Sequence, residues 1–184
     1  MDLSENTGLL IKALKFSAEK HRNQRRKDLA RSPYINHPIG VMYLLWEVGG
    51  VKDTDVLVAA LLHDTIEDTQ TSPDEIDQSF GHAVLSFVLE VTDDKRKPKA
   101  EQRRLQIEHA PHLSHGARLI KLADKCCNVH DLTVSPPKFW STNYRREYLE
   151  WTERVVVALG PTNRALEAYY EREVISGKKA LGFK

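Results

Sequence analysis

The chain has 184 residues, 41% of them hydrophobic and 29% charged, which suits one water-soluble globular domain and is too short for two ordinary ones. A formal net charge of +1 excludes any argument from bulk charge to nucleic acid or membrane, so an anionic ligand must be gathered by a local basic patch. No apolar run approaches bilayer length and Met1 to Glu5 does not open like a signal peptide, while a disulfide between adjacent Cys126 and Cys127 would be strained; the expectation is a cytoplasmic protein without nucleic-acid or membrane partners.

Hydrophobic spacing predicts helix after helix, with no strand alternation and no internal repeat. The first helix is expected over residues 5–21, with Leu10, Leu14, Phe16 and Ala18 toward the core. A basic loop over 22–36 follows, carrying Arg25, Arg26 and Lys27. Pro38 fits the first helical position, where no donor N–H is needed, and Gly49-Gly50 ends that helix. His37 then stands at a helix entrance, where it can point into a cleft. The next helix, over 53–68, is apolar nearly all round through 56–62 and so should be central. Ser72-Pro73-Asp74-Glu75 is a strong helix start, and Gly81 closes that short helix. Further helices are expected over 83–91, 98–108, 116–132, 143–159 and 162–175, with a basic tail over 176–184 that should fray. The sum is an all-α domain of about eight to ten helices, its core spanning 5–175.

The chemistry concentrates in His63-Asp64-Thr65-Ile66-Glu67-Asp68, at the end of the apolar helix. On a continuous helix Glu67 lies four after His63 and three after Asp64, while Asp68 lies four after Asp64, so all crowd one corner. Packing three carboxylates there costs free energy unless a cation or substrate compensates. The bland alternative is a solvated helix end with a capping histidine, and the apolar run leading into the cluster argues against it. In the stretch 119–128, Lys121, Asp124, Lys125 and Asn128 share one helical face, opposite Leu122, Ala123, Cys126 and Val129. Asp124 flanked by lysines suits a metal or phosphate site. The bland alternative is a surface salt bridge worth about 0.3 kcal/mol.

Together His37 in Ile35-Asn36-His37-Pro38, the pair His63-Asp64, and Asp124 in Lys121-Leu122-Ala123-Asp124-Lys125 resemble the H…HD…D signature of the HD superfamily. The longer strings, Arg26-Lys27 with Pro33 to Pro38, then Ala59 to Thr69, Val91 to Lys95 and Lys121 to Asn128, resemble the hydrolase domain of RelA/SpoT alarmone enzymes, most of all its stand-alone small members. The resemblance implies that His37, His63, Asp64 and Asp124 bind one divalent metal, manganese in that family. Two imidazoles and two carboxylates suit Mn²⁺, Fe²⁺ or Zn²⁺ better than Mg²⁺. It further implies that Glu67 and Asp68 position and deprotonate water. Arg26, Lys27, Asn128 and Tyr148 match positions near the nucleotide, and Lys95, Lys99 and Arg103 could funnel a polyphosphate. Read alone, Lys95 and Arg103 are better taken as solvated surface charges.

His21 reads as a helix-end residue or one behind the metal ligands, and His82, His109, His112, His115 and His130 as structural or surface residues. The loop 28–32, Cys126-Cys127 in place of large or aromatic residues, and Tyr144 where relatives carry a basic residue depart from the family pattern. The implied reaction is removal of the 3′-pyrophosphate of (p)ppGpp, without the synthetase activity of longer relatives. Two alternatives stay open: a phosphatase for NADPH or another ribose-phosphorylated nucleotide, and a non-catalytic alarmone sensor. Oligomeric state is undetermined.

Overall fold

A computed structural model of the chain describes residues 3–183. Among the described residues are ten α-helices, one 3-10 turn, and no strand beyond an isolated Arg25–Pro33 bridge, so the all-α expectation holds. In chain order the helices are α1 (Leu3–Lys20), α2 (Asn36–Glu47), α3 (Thr54–Leu62), α4 (Thr65–Asp68), α5 (Pro73–Phe80), α6 (His82–Val91), α7 (Lys99–His109), α8 (His115–Val134), α9 (Thr142–Leu159) and α10 (Arg164–Ala180). Several begin on a side chain that accepts the first free amides: Asp53 from Asp55 and Val56, Ser72 from Glu75, Ser114 from Ala117, Asn163 from Ala165 and Leu166. Each such cap contributes about 1 kcal/mol.

Helix α3 is the centre of the core. Val56, Leu57, Val58, Ala59, Ala60, Leu61 and Leu62 are each 2% exposed or less, because α1, α2, α6 and α8 surround them. Helix α8 packs in turn against α2, α3, α6, α9 and α10. A polar residue at the end of α3 or in the middle of α8 is therefore held against packed walls, and that rigidity positions the site.

Three expectations are corrected. The helix expected over 53–68 breaks after Leu62, and only the turn α4 follows. The break has a local cause: the Thr65 hydroxyl donates to the Leu62 carbonyl at 2.7 Å and His63 Nδ1 bonds the Ala60 carbonyl at 2.8 Å, so side chains satisfy groups that a continuing ladder would use. Leu14 is 38% exposed, and Ala13 and Ser17, both at 0%, face the core instead. The last helix extends beyond its expected end at 175. Helix α10 runs to Ala180, Gly177 packs on Leu149, Leu181 is buried, and Arg146 donates to the carbonyls of Leu181 at 2.8 Å and Gly182 at 3.0 Å. Among the described residues no helix is long and apolar enough to cross a membrane.

Candidate metal centre and nucleotide cleft

Three backbone elements deliver four side chains to one point. His37 comes from the first turn of α2, His63 and Asp64 from the break between α3 and α4, and Asp124 from the middle of α8. His37 Nε2 lies 3.1 Å from Asp124 Oδ1 and 3.8 Å from Asp64 Oδ2, and His63 Nε2 lies 3.1 Å from Asp64 Oδ2. His37, His63 and Asp124 are buried, and each offers a ligand atom within 4.8 Å of the others.

The set fits a divalent metal ion on its chemistry. The Ala60 carbonyl takes the Nδ1 proton of His63, which turns Nε2 toward the cluster, where Asp64 Oδ2 lies 3.1 Å away. Charge balance points the same way. Burial pulls the His63 imidazolium down, but the charge and hydrogen bond of Asp64, with Asp124 behind, push it up to about 9. Burial works against the Asp124 carboxylate, yet Lys125 and then His37 hold it well below the usual range. The site is built to keep carboxylates charged and to hold positive charge between them.

A second layer fixes these ligands. Lys125 Nζ, itself 3% exposed, donates to Asp124 Oδ2 at 3.0 Å, and Asn128 Nδ2 to Oδ1 at 2.6 Å. The surface-salt-bridge alternative for Asp124 is thereby excluded. The Tyr34 hydroxyl donates to Asp64 Oδ2 at 2.6 Å. Of the acidic pair on α4, Glu67 Oε2 accepts from the Asp93 amide at 3.0 Å. Burial, then the charge of Asp64, push Glu67 up to about 7. Asp68 is held by Lys95 and by Gln24 Nε2, and Gln24 Oε1 meets His21 Nδ1 at 2.6 Å, which places His21 behind the site. Tyr34, Gln24 and Lys125 were not singled out as functional from the sequence. Their partners are 30, 44 and one residue away, and only the first two needed the fold to be found.

Above this floor opens a cleft of about 580 Å³, lined by all five candidate substrate residues: Arg26, Lys27, Lys99, Asn128 and Tyr148. Arg26 pairs with Asp131 and lies 5.6 Å from the Tyr34 ring centroid, and Lys27 lies 5.8 Å from that of Trp140. One wall is aromatic: Trp140 packs on Tyr144 and Tyr148 at 4.7 and 5.1 Å between centroids, and Tyr148 on Trp151 at 5.2 Å. Arg103 is inside this wall, so the surface-charge reading is wrong for it; Lys95 lines the cleft while half exposed and paired with Asp68.

A helical bundle with a buried histidine, a histidine-aspartate pair and a distant aspartate around one point defines a class. The chain belongs to the HD-domain family, whose model matches residues 13–150. It is 52% identical over 165 residues to the guanosine-3′,5′-bis(diphosphate) 3′-pyrophosphohydrolase MESH1 of Xenopus tropicalis, covering 90% of this chain and 92% of that one. The Homo sapiens protein of the same name is 54% identical over 158 residues, 86% of this chain and 88% of its own. A solved structure, a metazoan ortholog of SpoT that hydrolyzes ppGpp and plays a role in starvation responses, matches with a TM-score of 0.89 and 43% identity, covering 91% of this chain and 94% of that one. Within the HD-domain family, the chain is a member of the group these relatives form.

Proposed function

We propose that the chain is a guanosine-3′,5′-bis(diphosphate) 3′-pyrophosphohydrolase, converting (p)ppGpp to GDP or GTP plus pyrophosphate. The observation that carries this reading is the cluster of buried His37, His63 and Asp124 with the half-buried Asp64 beside them, at the floor of a basic, aromatic-walled cleft. Support comes from relatives of that name sharing half the residues across nearly the whole chain. A polyanionic nucleotide needs cations for its phosphates and flat surfaces for its rings, and the cleft carries both.

In this proposal His37, His63, Asp64 and Asp124 hold the metal, and the mixed nitrogen and oxygen donors favour Mn²⁺ over Mg²⁺. The bound ion supplies Lewis-acid charge beside the scissile phosphate. Glu67, with its raised pKa, takes the proton of the attacking water, and Asp68 orients that water. The water oxygen forms a bond to the phosphorus attached to the ribose 3′-oxygen, the bond from that phosphorus to the 3′-oxygen breaks, and the ribose oxygen takes up a proton as pyrophosphate leaves. Arg26, Lys27 and Lys99 answer the phosphate charge, and Asn128 and Tyr148 contact ribose and phosphates. The site of action is the cytoplasm.

The test is pyrophosphate release from ppGpp by purified protein with Mn²⁺, beside a parallel NADPH assay. Metal-dependent release of pyrophosphate with GDP is expected. Phosphate released from NADPH without ppGpp turnover would replace the substrate and keep the site.

A further inference from the structure

Arg103 differs from the carboxylate-paired cations of the cleft wall. Arg26, Lys95 and Lys125 are each paired with a carboxylate: Asp131, Asp68 and Asp124. Arg103 has no carboxylate partner among the described residues. Its guanidinium carbon lies 5.1, 5.5 and 5.3 Å from the ring centroids of Tyr144, Tyr148 and Trp151. One nitrogen, Nη2, donates to the Tyr144 hydroxyl at 2.8 Å, while the buried Nε has no acceptor. The Trp151 indole N–H donates back to the Arg103 carbonyl at 3.1 Å, so α7 and α9 are locked together where the side chain departs.

A guanidinium packed among three aromatic faces has lost much of its water, and the ring faces replace only part of what was lost. Leaving a buried donor without an acceptor is costly, so such an arrangement signals an anion that arrives from outside. The planar fork of arginine matches the oxygens of a phosphate in a way that a lysine does not. Position narrows the choice of phosphate. Lys125, whose ammonium pairs with Asp124 in the metal cluster, lies 4.7 Å from the centroid of the same Trp151 ring. Arg103 is therefore one ring away from the metal cluster, and both line the same cleft.

We propose that Arg103 binds the distal phosphate of the 3′-pyrophosphate group, with the Tyr144 hydroxyl holding its fork in that direction. The proposal rests on the pyrophosphohydrolase reading above and deepens it. It assigns to one residue the distinction between a 3′-diphosphate and a 3′-monophosphate. The Tyr144 hydroxyl, which accepts from Arg103 Nη2 at 2.8 Å, orients the fork.

The experiment compares wild type, Arg103→Gln and Tyr144→Phe in steady-state hydrolysis of ppGpp. In the same assay, guanosine 5′-diphosphate 3′-monophosphate, which lacks the distal phosphate, serves as a competitive inhibitor. Arg103→Gln should raise KM for ppGpp about 10- to 100-fold, the loss of one charged phosphate contact. It should leave the inhibition constant of the 3′-monophosphate within about twofold of wild type, as expected for a contact the inhibitor never made. Tyr144→Phe should raise KM several-fold, with the melting temperature and kcat close to wild type. Equal weakening of substrate and inhibitor, or an unchanged KM in Arg103→Gln, would overturn the proposal. If wild-type protein leaves ppGpp intact, the functional reading itself has failed, which is a different result from a variant that behaves like an active wild type.

Discussion

Replacing Lys125 by methionine tests whether the metal cluster is also a stability determinant. The ammonium is buried and pairs with Asp124, itself 9% exposed. Burial disfavours the charged lysine, and the adjacent Asp124 overcomes that penalty and raises its pKa. Methionine fills similar volume, so the change removes charge rather than packing. Asp124 keeps its bond from Asn128 and its contact with His37, which places the loss at the lower end of that for breaking a buried pair, about 3 kcal/mol. For 184 residues the entropy of unfolding is about 0.39 kcal/mol per kelvin, so the metal-free variant should melt about 8 °C below wild type. Adding divalent ion should narrow the gap, because the ion supplies positive charge where Lys125 did. Thermal melts of both proteins, with chelator and with Mn²⁺, measure this directly. Equal melting temperatures under chelator would refute the claim that Lys125 compensates a buried charge.

Other perturbations follow from the same geometry. Glu67 is pushed up to about 7 and must be ionised to accept a proton, so kcat/KM should fall as pH drops through about 7. Glu67→Gln should remove that limb and lower kcat about 100- to 10,000-fold, while a wild-type profile in the variant would exclude Glu67 as the base. Chelator should abolish turnover and Mn²⁺ should restore it; metal-independent activity would contradict the cluster's role. Gly116→Ala brings a Cβ to 2.6 Å from the Phe87 ring, an overpacking worth about 1–3 kcal/mol that should lower the melting temperature by about 3–8 °C with kcat unchanged. A change in kcat instead would show that the start of α8 is coupled to the site.

Much of this is legible in the sequence. The apolar periodicity of 56–62 marked α3 as central, and the chemistry at its end followed from which residues were polar there. The break after Leu62 was not legible, because Thr65 and His63 end the helix through their own side chains, in a sequence whose propensities would allow it to continue. The residues grouped by the family signature do come together, yet for a different local reason from the one spacing suggested: Glu67 and Asp68 sit on a separate turn. Long-range partners such as Tyr34 for Asp64 depend on how α2 meets α3, which periodicity does not encode. The continuation of α10 past 175 was not legible either, because it rests on the burial of Leu181 and on the bonds from Arg146 to the Leu181 and Gly182 carbonyls.

The most direct test is a single turnover of ppGpp in heavy-oxygen water, with wild type beside Asp64→Ala. The account predicts one labelled oxygen in the released pyrophosphate, none in GDP, and no turnover in the variant. Label in the ribose 3′-oxygen, or full activity without Asp64, would contradict it.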